Sequence, residues 1–203
     1  MSAQDRLAAE GEAKRRVGPA RHATPAGRHA GLRVVFSERE IRRRVIGLAN
    51  RLNRDYRDST LHFMVLLENT FPFAADLMRR LHISLVCHFL HAAVKDRTWH
   101  HLPLREITYT PEARLAGENV LVVDGIIQTG VTLDFLLRSI QDQSPKSLRA
   151  AALIEKAGEH KVAVKPDYVG FRTRRGLLVG YGLGFEGRYV NLPYIAELER
   201  GRN

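Results

Sequence analysis

Short apolar runs alternate with amphipathic segments along this chain from residue 32 onward. Continuous apolar runs predict strands, and apolar positions spaced three to four residues apart predict helices. The predicted strands are residues 32–36, 61–67, 83–90, 120–123, 148–154, 168–171 and 177–181. The predicted helices are residues 38–56, 73–81 and 132–141, while residues 91–118 are predicted to form a hairpin arm or a mobile loop. Because strands alternate with helices, we expect an α/β fold with a mostly parallel sheet flanked by helices.

The first predicted helix shows the pattern most clearly. Ser37 is a good N-cap, and Glu40 follows three residues later, which completes the signature of a capping box. One face of the helix is predicted to be buried, through Ile41, Val45, Leu48, Ala49 and Leu52. The opposite face is basic, through Arg42, Arg43, Arg44, Arg51 and Arg54. We interpret the basic side as a solvated helix face.

The strongest functional pattern lies in residues 120–133. An apolar strand is followed by Asp124, a short turn and the start of a helix at residues 129–132. Backbone N–H groups at a helix N-terminus can cradle a phosphate, and Gly130 permits a close backbone approach. Ligands of parallel sheets bind outside the carboxyl ends of the strands, so we expect a phosphate site at this turn.

Composition limits the class of protein. The chain has 203 residues, which suits one domain, and its hydrophobic fraction of 44% is enough for a core. No apolar run is long enough to span a bilayer, and the N-terminus lacks a signal-peptide hydrophobic region, so we expect a cytoplasmic protein without a membrane partner. Cys87, the single cysteine, excludes an internal disulfide, and its apolar surroundings predict a buried structural thiol.

The charge balance is strongly basic. A net charge of +10 attracts polyanions, but no nucleic-acid motif accompanies it, which disfavours a nucleic-acid partner. Residues 1–31 have almost no bulky apolar side chains, so we predict a disordered basic tail before a folded domain at 32–203. The spacing of the histidines matches no metal-ligand pattern, and no metal site is predicted from His82, His88, His91, His100 and His101.

Four collinear segments resemble the hypoxanthine-guanine phosphoribosyltransferases. They are residues 66–77 (LLENTFPFAADL), 120–132 (VLVVDGIIQTGVT), 166–171 (PDYVGF) and 179–195. The resemblance extends from about residue 32 to residue 197. It implies a type I phosphoribosyltransferase fold with a small hood region, and an oligomer. It also implies transfer of a 6-oxopurine to C1 of phosphoribosyl pyrophosphate (PRPP), with Mg²⁺ assisting the departure of pyrophosphate.

The resemblance assigns roles to residues that match its motifs. Asp124 is implied to accept a hydrogen bond from a ribose hydroxyl, and Lys156 to contact the purine 6-oxo group. Leu177 stands where an aromatic side chain stacks on the base, and Leu178 where backbone atoms meet the ring edge. The implied phosphate and ribose segment consists of Asp124, Gly125, Gln128, Thr129, Gly130, Val131 and Thr132.

Several positions depart from the family pattern. Gln128 replaces the aspartate that acts as the base, and an amide cannot take up a proton near neutral pH. Gly125 removes the second ribose carboxylate, and Gly184 removes an acid that helps to hold Mg²⁺. Glu68-Asn69 replaces a Lys-Gly pair in the pyrophosphate loop, and Val190 replaces an arginine. In the mobile loop, a Ser-Tyr pair is replaced by Val94-Lys95.

These matches and departures leave three hypotheses. The first is a homologue that binds a purine nucleotide or phosphate with weak or absent transferase activity, as a regulator or as a partner of an active relative. The second is an active 6-oxopurine phosphoribosyltransferase that converts PRPP and hypoxanthine or guanine to IMP or GMP and pyrophosphate, using Mg²⁺. The third is a polyanion-binding module whose basic tail binds the ligand.

Overall fold

The computed structural model describes residues 31–67, 69–90, 113–156 and 158–199, and the backbone of residues 95–99 and 102–106. The predictions made for residues 1–30, Glu68, His91, Val94, the side chain of Lys95 and the pair His100-His101 lie outside the described residues. They therefore stay predictions.

Ten strands and three helices form the described fold. The strands are β1 (Leu32–Phe36), β2 (Thr60–Leu66), β3 (Ser84–Leu90), β4 (Lys95–Trp99), β5 (Leu102–Glu106), β6 (Asn119–Ile127), β7 (Ser147–Lys156), β8 (Tyr168–Thr173), β9 (Leu178–Val179) and β10 (Ile195–Leu198). The helices are α1 (Glu38–Asp55), α2 (Phe71–Met78) and α3 (Val131–Gln141).

The main sheet contains five parallel strands in the order β3-β2-β6-β7-β8. Side chains alternate across it, so β6 sends Leu121 and Val123 into the core beneath α1 and α2. The same strand sends Val120 and Val122 into the core beneath α3. The predicted α/β fold with a mostly parallel, helix-flanked sheet is confirmed.

Helix α1 follows its sequence pattern closely. Both hydrogen bonds of the capping box between Ser37 and Glu40 are present, and the five predicted apolar positions are buried. The predicted basic face is exposed, but it is not only solvated. The guanidinium of Arg44 lies 5.2 Å from the ring centre of Phe171, and that of Arg51 lies 4.9 Å from the ring centre of Tyr168.

A small antiparallel sheet joins the two ends of the described chain. Its order is β1-β10-β9, with Leu32 opposite Leu198 and Ala196 opposite Val179. This sheet is the hood region that the resemblance implies. Strand β10 was not predicted, because its sequence of four residues is too short to show a period without knowledge of its distant partner.

Three expectations need correction. Helix α2 begins at Phe71 and ends at Met78, not at 73–81, because Pro72 fits the first turn, where an N–H is not required. Strand β6 continues to Ile127, beyond the predicted end at 123. Cys87 is half-buried rather than buried, since β3 is an edge strand, and the desolvation still raises the pKa of its thiol. For residues 91–118, the hairpin is confirmed by the antiparallel pairing of β4 with β5.

Candidate functional site

A cleft of about 290 Å³ opens at the carboxyl ends of β2 and β6. We call it the cradle cleft. It is lined by residues that precede α2 and by the turn that leads into α3. The predicted residues among its walls are Asn69, Asp124, Gln128, Thr129, Gly130 and Thr132. The structure therefore brings the predicted phosphate and ribose residues together at the predicted edge of the sheet.

Asp124 is the buried acid of this cleft. Its residue exposure is 9%. Its Oδ1 accepts hydrogen bonds from the backbone N–H of Ile126 at 3.2 Å and from the hydroxyl of Thr70 at 3.5 Å. Burial raises the pKa of Asp124 from 3.8 to about 6, against the lowering effect of these hydrogen bonds.

Thr70 is a site residue that sequence reasoning did not single out. It is the N-cap of α2 but makes no side-chain bond to that helix. Its hydroxyl instead accepts a hydrogen bond from the backbone N–H of Gly125 at 2.8 Å, while it donates to Asp124. A threonine before Phe-Pro suggests an N-cap, and only the tertiary structure shows that the side chain joins two loops.

Gly125 lies under the loop that precedes α2. A Cβ atom at this position would lie 2.7 Å from the carbonyl oxygen of Asn69 and 3.3 Å from Cα of Thr70. The same carbonyl oxygen would lie 2.7 Å from a Cβ atom at Gly182. The Asn69 carbonyl thus lies between two glycines. It fills the space that the side chain of a second ribose-binding acid would need at residue 125.

The turn before α3 leads into a helix N-terminus at the position where the sequence predicts a phosphate site. Gly130 is the N-cap residue with φ of +79°, a left-handed conformation that glycine adopts without strain. The backbone N–H of Val131 points toward the hydroxyl oxygen of Thr129 at 3.4 Å. The carbonyl of Thr129 accepts from the backbone N–H of Lys161 at 2.9 Å, which anchors the turn to the segment after β7.

A second cleft, of about 350 Å³, adjoins the first. We call it the lysine cleft. The two clefts share Asn69, Ile126 and Gln128 in their walls. The remaining walls of the lysine cleft are Lys156, Glu159, Gly176, Leu177, Leu178, Leu183 and Gly184. The predicted purine residues therefore lie together, next to the predicted phosphate residues.

A chain of polar contacts crosses the lysine cleft. The Nε2 of Gln128 donates to Oε2 of Glu159 at 2.7 Å, and the Nζ of Lys156 donates to Oε1 of the same carboxylate at 3.0 Å. Both contacts hold the pKa of Glu159 below its usual value, the amide of Gln128 most strongly. Sequence reasoning missed Glu159, because it lies in an irregular segment that matches no motif.

Comparison with known proteins identifies the family. The family model for the phosphoribosyl transferase domain matches residues 35–185. The hypoxanthine-guanine phosphoribosyltransferase of Dictyostelium discoideum is 31% identical over 170 residues, which cover 82% of this chain and 94% of that protein. This chain belongs to the hypoxanthine-guanine phosphoribosyltransferase family.

Further relatives of the family agree in length and fold. The hypoxanthine-guanine phosphoribosyltransferase of Bacillus subtilis is 30% identical over 167 residues, which cover 82% of this chain and 93% of that protein. The crystal structure of a hypoxanthine-guanine phosphoribosyltransferase from Bacillus anthracis matches with a TM-score of 0.71 at 32% identity, covering 81% of this chain and 95% of that chain. The phosphoribosyltransferase-like fold extends over both clefts.

The carboxylate set that would hold a Mg²⁺ ion is incomplete among the described residues. Gly184 has no side chain, so the acid that the resemblance implies at this position is missing. Among the described residues, no group of three or more His, Cys, Asp or Glu side chains is placed to hold a metal ion.

In the described part of the chain, no helix is long and apolar enough to cross a membrane.

Proposed function

We propose that this member of the hypoxanthine-guanine phosphoribosyltransferase family binds a purine nucleotide and has weak or absent transferase activity. The observation that carries the proposal is a helix N-terminus beside a position that has lost its catalytic acid. In the cradle cleft, Gly130 begins α3, and a helix N-terminus of this kind can bind phosphate. The position of the family's base is occupied by Gln128, an amide that already donates to Glu159.

Binding is supported by the cradle and its surroundings. Gly130 begins α3 with the backbone conformation that exposes N–H groups to a phosphate, and Thr132 adds a hydroxyl to the same wall. The lysine cleft lies beside it with Leu177 and Leu178 in its wall, which offers apolar contact to a flat ring. A nucleoside monophosphate places a phosphate and a base in this arrangement.

Weak transfer is supported by two groups that the chemistry needs and that this site lacks. A general base must carry a lone pair that accepts a proton near neutral pH, and the amide of Gln128 does not. A second ribose carboxylate is excluded at Gly125 by the carbonyl of Asn69. Loss of one such group typically costs about 3 kcal/mol of transition-state stabilisation, and losses within one site are not additive.

The cellular setting is part of the proposal. We expect a cytoplasmic oligomer, formed with itself or with a related transferase, that regulates purine metabolism. Two aromatic side chains support an assembly surface, since Phe71 is 63% exposed and Phe89 is 59% exposed. If turnover remains, Mg²⁺ would enter with the diphosphate of PRPP rather than on a carboxylate set of the protein.

Isothermal titration with GMP, IMP and PRPP, with and without Mg²⁺, tests the proposal beside a transferase assay on hypoxanthine and guanine. We expect nucleotide binding without ordinary turnover. Thr132→Val removes a hydroxyl from the cradle wall and should weaken nucleotide binding roughly tenfold. Ser139→Ala on the same helix is the matched control, because its hydroxyl donates to the carbonyl of Phe135 within the helix. Ordinary turnover, or no binding at all, would contradict the proposal.

A further inference from the structure

Three residues lie in the walls of both clefts, namely Asn69, Ile126 and Gln128. A nucleoside monophosphate carries its ribose between its phosphate and its base, so the ribose of a nucleotide that spans both clefts would lie at these shared residues. Ile126 has an apolar side chain, and Gln128 already donates one amide N–H to Glu159. Asn69 is exposed, and its amide makes no hydrogen bond to any residue that the structure describes. Its side chain is therefore available to a ligand at the junction of the clefts.

Asn69 also lies in the place of the missing second acid. Its carbonyl oxygen lies 2.7 Å, and its carbonyl carbon 3.1 Å, from the point that a Cβ atom of residue 125 would occupy. The hydroxyl of the next residue, Thr70, accepts from the N–H of Gly125 at 2.8 Å and donates to Asp124 at 3.5 Å. These two hydrogen bonds hold Asn69 beside the first acid of the site. Asn69 thus occupies the position that a second ribose-binding acid would take.

The polar atoms of Asn69 suit a sugar hydroxyl. Its backbone carbonyl accepts no hydrogen bond from the described part of the chain, and the side-chain Oδ1 is a second acceptor. A hydroxyl can donate to these oxygens and can also accept from Nδ2, whereas an ionised phosphate has no proton to donate to them. A neutral amide also adds no second negative charge beside the buried carboxylate of Asp124, where a like charge would disfavour ionisation.

We propose that the side-chain amide of Asn69 binds a ribose hydroxyl and makes the site selective for nucleotides that carry both ribose hydroxyls. The resemblance assigns one ribose hydroxyl to Asp124, and Asn69 binds the hydroxyl that has lost its acid at Gly125. The inference rests on the proposed function, namely that the two clefts take up a purine nucleotide. It adds the sugar to that ligand, because one acid and one amide together distinguish a ribose from a deoxyribose.

Isothermal titration of the full chain with IMP, 2′-deoxy-IMP and 3′-deoxy-IMP tests the assignment. Wild-type protein should bind IMP about tenfold more tightly than either analogue, because each analogue leaves one polar group of the site unpaired. Asn69→Ala should weaken IMP binding about tenfold and abolish the preference against one of the two analogues. The preference against the other analogue depends on Asp124 and should remain.

Two further variants separate a ligand contact from a structural role. Asn69→Asp keeps an acceptor in the same place, so the preference for IMP over both analogues should remain. Asn50→Ala removes an exposed amide on α1 and is the matched control, with both affinity ratios unchanged. Thermal unfolding of each variant verifies that it is folded. A merely structural role of Asn69 would weaken the binding of all three ligands equally, without changing either ratio.

The outcomes separate the two proposals. A preference that Asn69→Ala abolishes for one analogue, and that Asn50→Ala leaves intact, supports the ribose contact. Binding of IMP with wild-type ratios in Asn69→Ala overturns the contact but leaves nucleotide binding intact. Equal affinity of wild-type protein for IMP and both analogues overturns it as well. Failure of all three ligands to bind overturns the proposed function and this inference together.

Discussion

Val190 lies so close to Gly184 that a Cβ atom built on Gly184 would lie 2.8 Å from Cγ1 of Val190. The two residues face each other across the turn in which Phe185 pairs with Arg188. Both positions depart from the family pattern, where an acid and an arginine are implied. The two departures are therefore physically coupled, because the valine side chain occupies the space that a side chain at residue 184 would need.

This contact predicts a measurable coupling. Gly184→Ala should destabilise the protein by about 1 kcal/mol, because the new methyl group crowds a β-branched neighbour. In the Val190→Ala background, the same substitution should cost much less, since the crowding methyl groups are gone. A double-mutant cycle measured by urea unfolding gives the coupling free energy. Equal costs of Gly184→Ala in both backgrounds would show that the contact is not a constraint.

Asp124 predicts a dependence of stability on pH. Its pKa is raised from 3.8 to about 6 by burial, so the folded state favours the protonated form. The favourable contribution is complete below about pH 3.8 and is lost as the pH rises through about 6. Above pH 7, ionisation of Asp124 then costs the folded state about 3 kcal/mol.

Asp124→Asn tests this prediction. The amide oxygen can still accept from the N–H of Ile126, while the charge is removed. We expect the Tm at pH 8 to rise by roughly 5–10 °C, with little change at pH 4. Asp134→Asn, which removes a half-exposed acid paired with Arg138, is the control and should give no such gain. A loss of stability at pH 8 would show that the negative charge is stabilised by groups in the cleft.

Gly125 predicts that the second acid cannot be restored by one substitution. Gly125→Ala should destabilise the protein by about 2 kcal/mol, because its Cβ would press on the carbonyl of Asn69 at 2.7 Å. Gly125→Asp should do the same and should not raise transferase activity. Gly47→Ala in α1 is the control, since nothing lies within 4 Å of its Cβ. That change should stabilise the helix by about 0.5–1 kcal/mol, and equal effects at both glycines would contradict the prediction.

Gln128 predicts that restoring the base depends on Glu159. Gln128→Asp alone would place a second carboxylate near that of Glu159, whose Oε2 now lies 2.7 Å from Nε2 of Gln128. Two neighbouring like charges raise the pKa of one acid, which then stays protonated and is less available as a base near neutral pH. We expect transferase activity to rise more in the Gln128→Asp, Glu159→Gln double variant than in Gln128→Asp, on the scale of roughly 100-fold for a restored general base. A rise of equal size in both variants would show that Glu159 does not oppose a base at residue 128.

Much of this protein was determined by local sequence. The capping box of Ser37 and Glu40, the buried face of α1 and the alternation of strands with helices follow from propensity and period, which act over a few residues. The cradle turn was also predictable, because Gly130 and the hydroxyls beside it lie next to one another in the chain. The motifs identified the family for the same reason.

Only the tertiary structure decided how the site is filled. Strand β10 exists because it pairs with β1, a partner more than a hundred residues away in the chain. The contacts of Glu159 with Gln128, and of Val190 with Gly184, join loops whose positions are set by packing. Propensity and motif spacing describe neighbours along the chain. The raised pKa of Asp124 and the hydrogen bonds made by the Nζ of Lys156 depend instead on what surrounds each side chain in space.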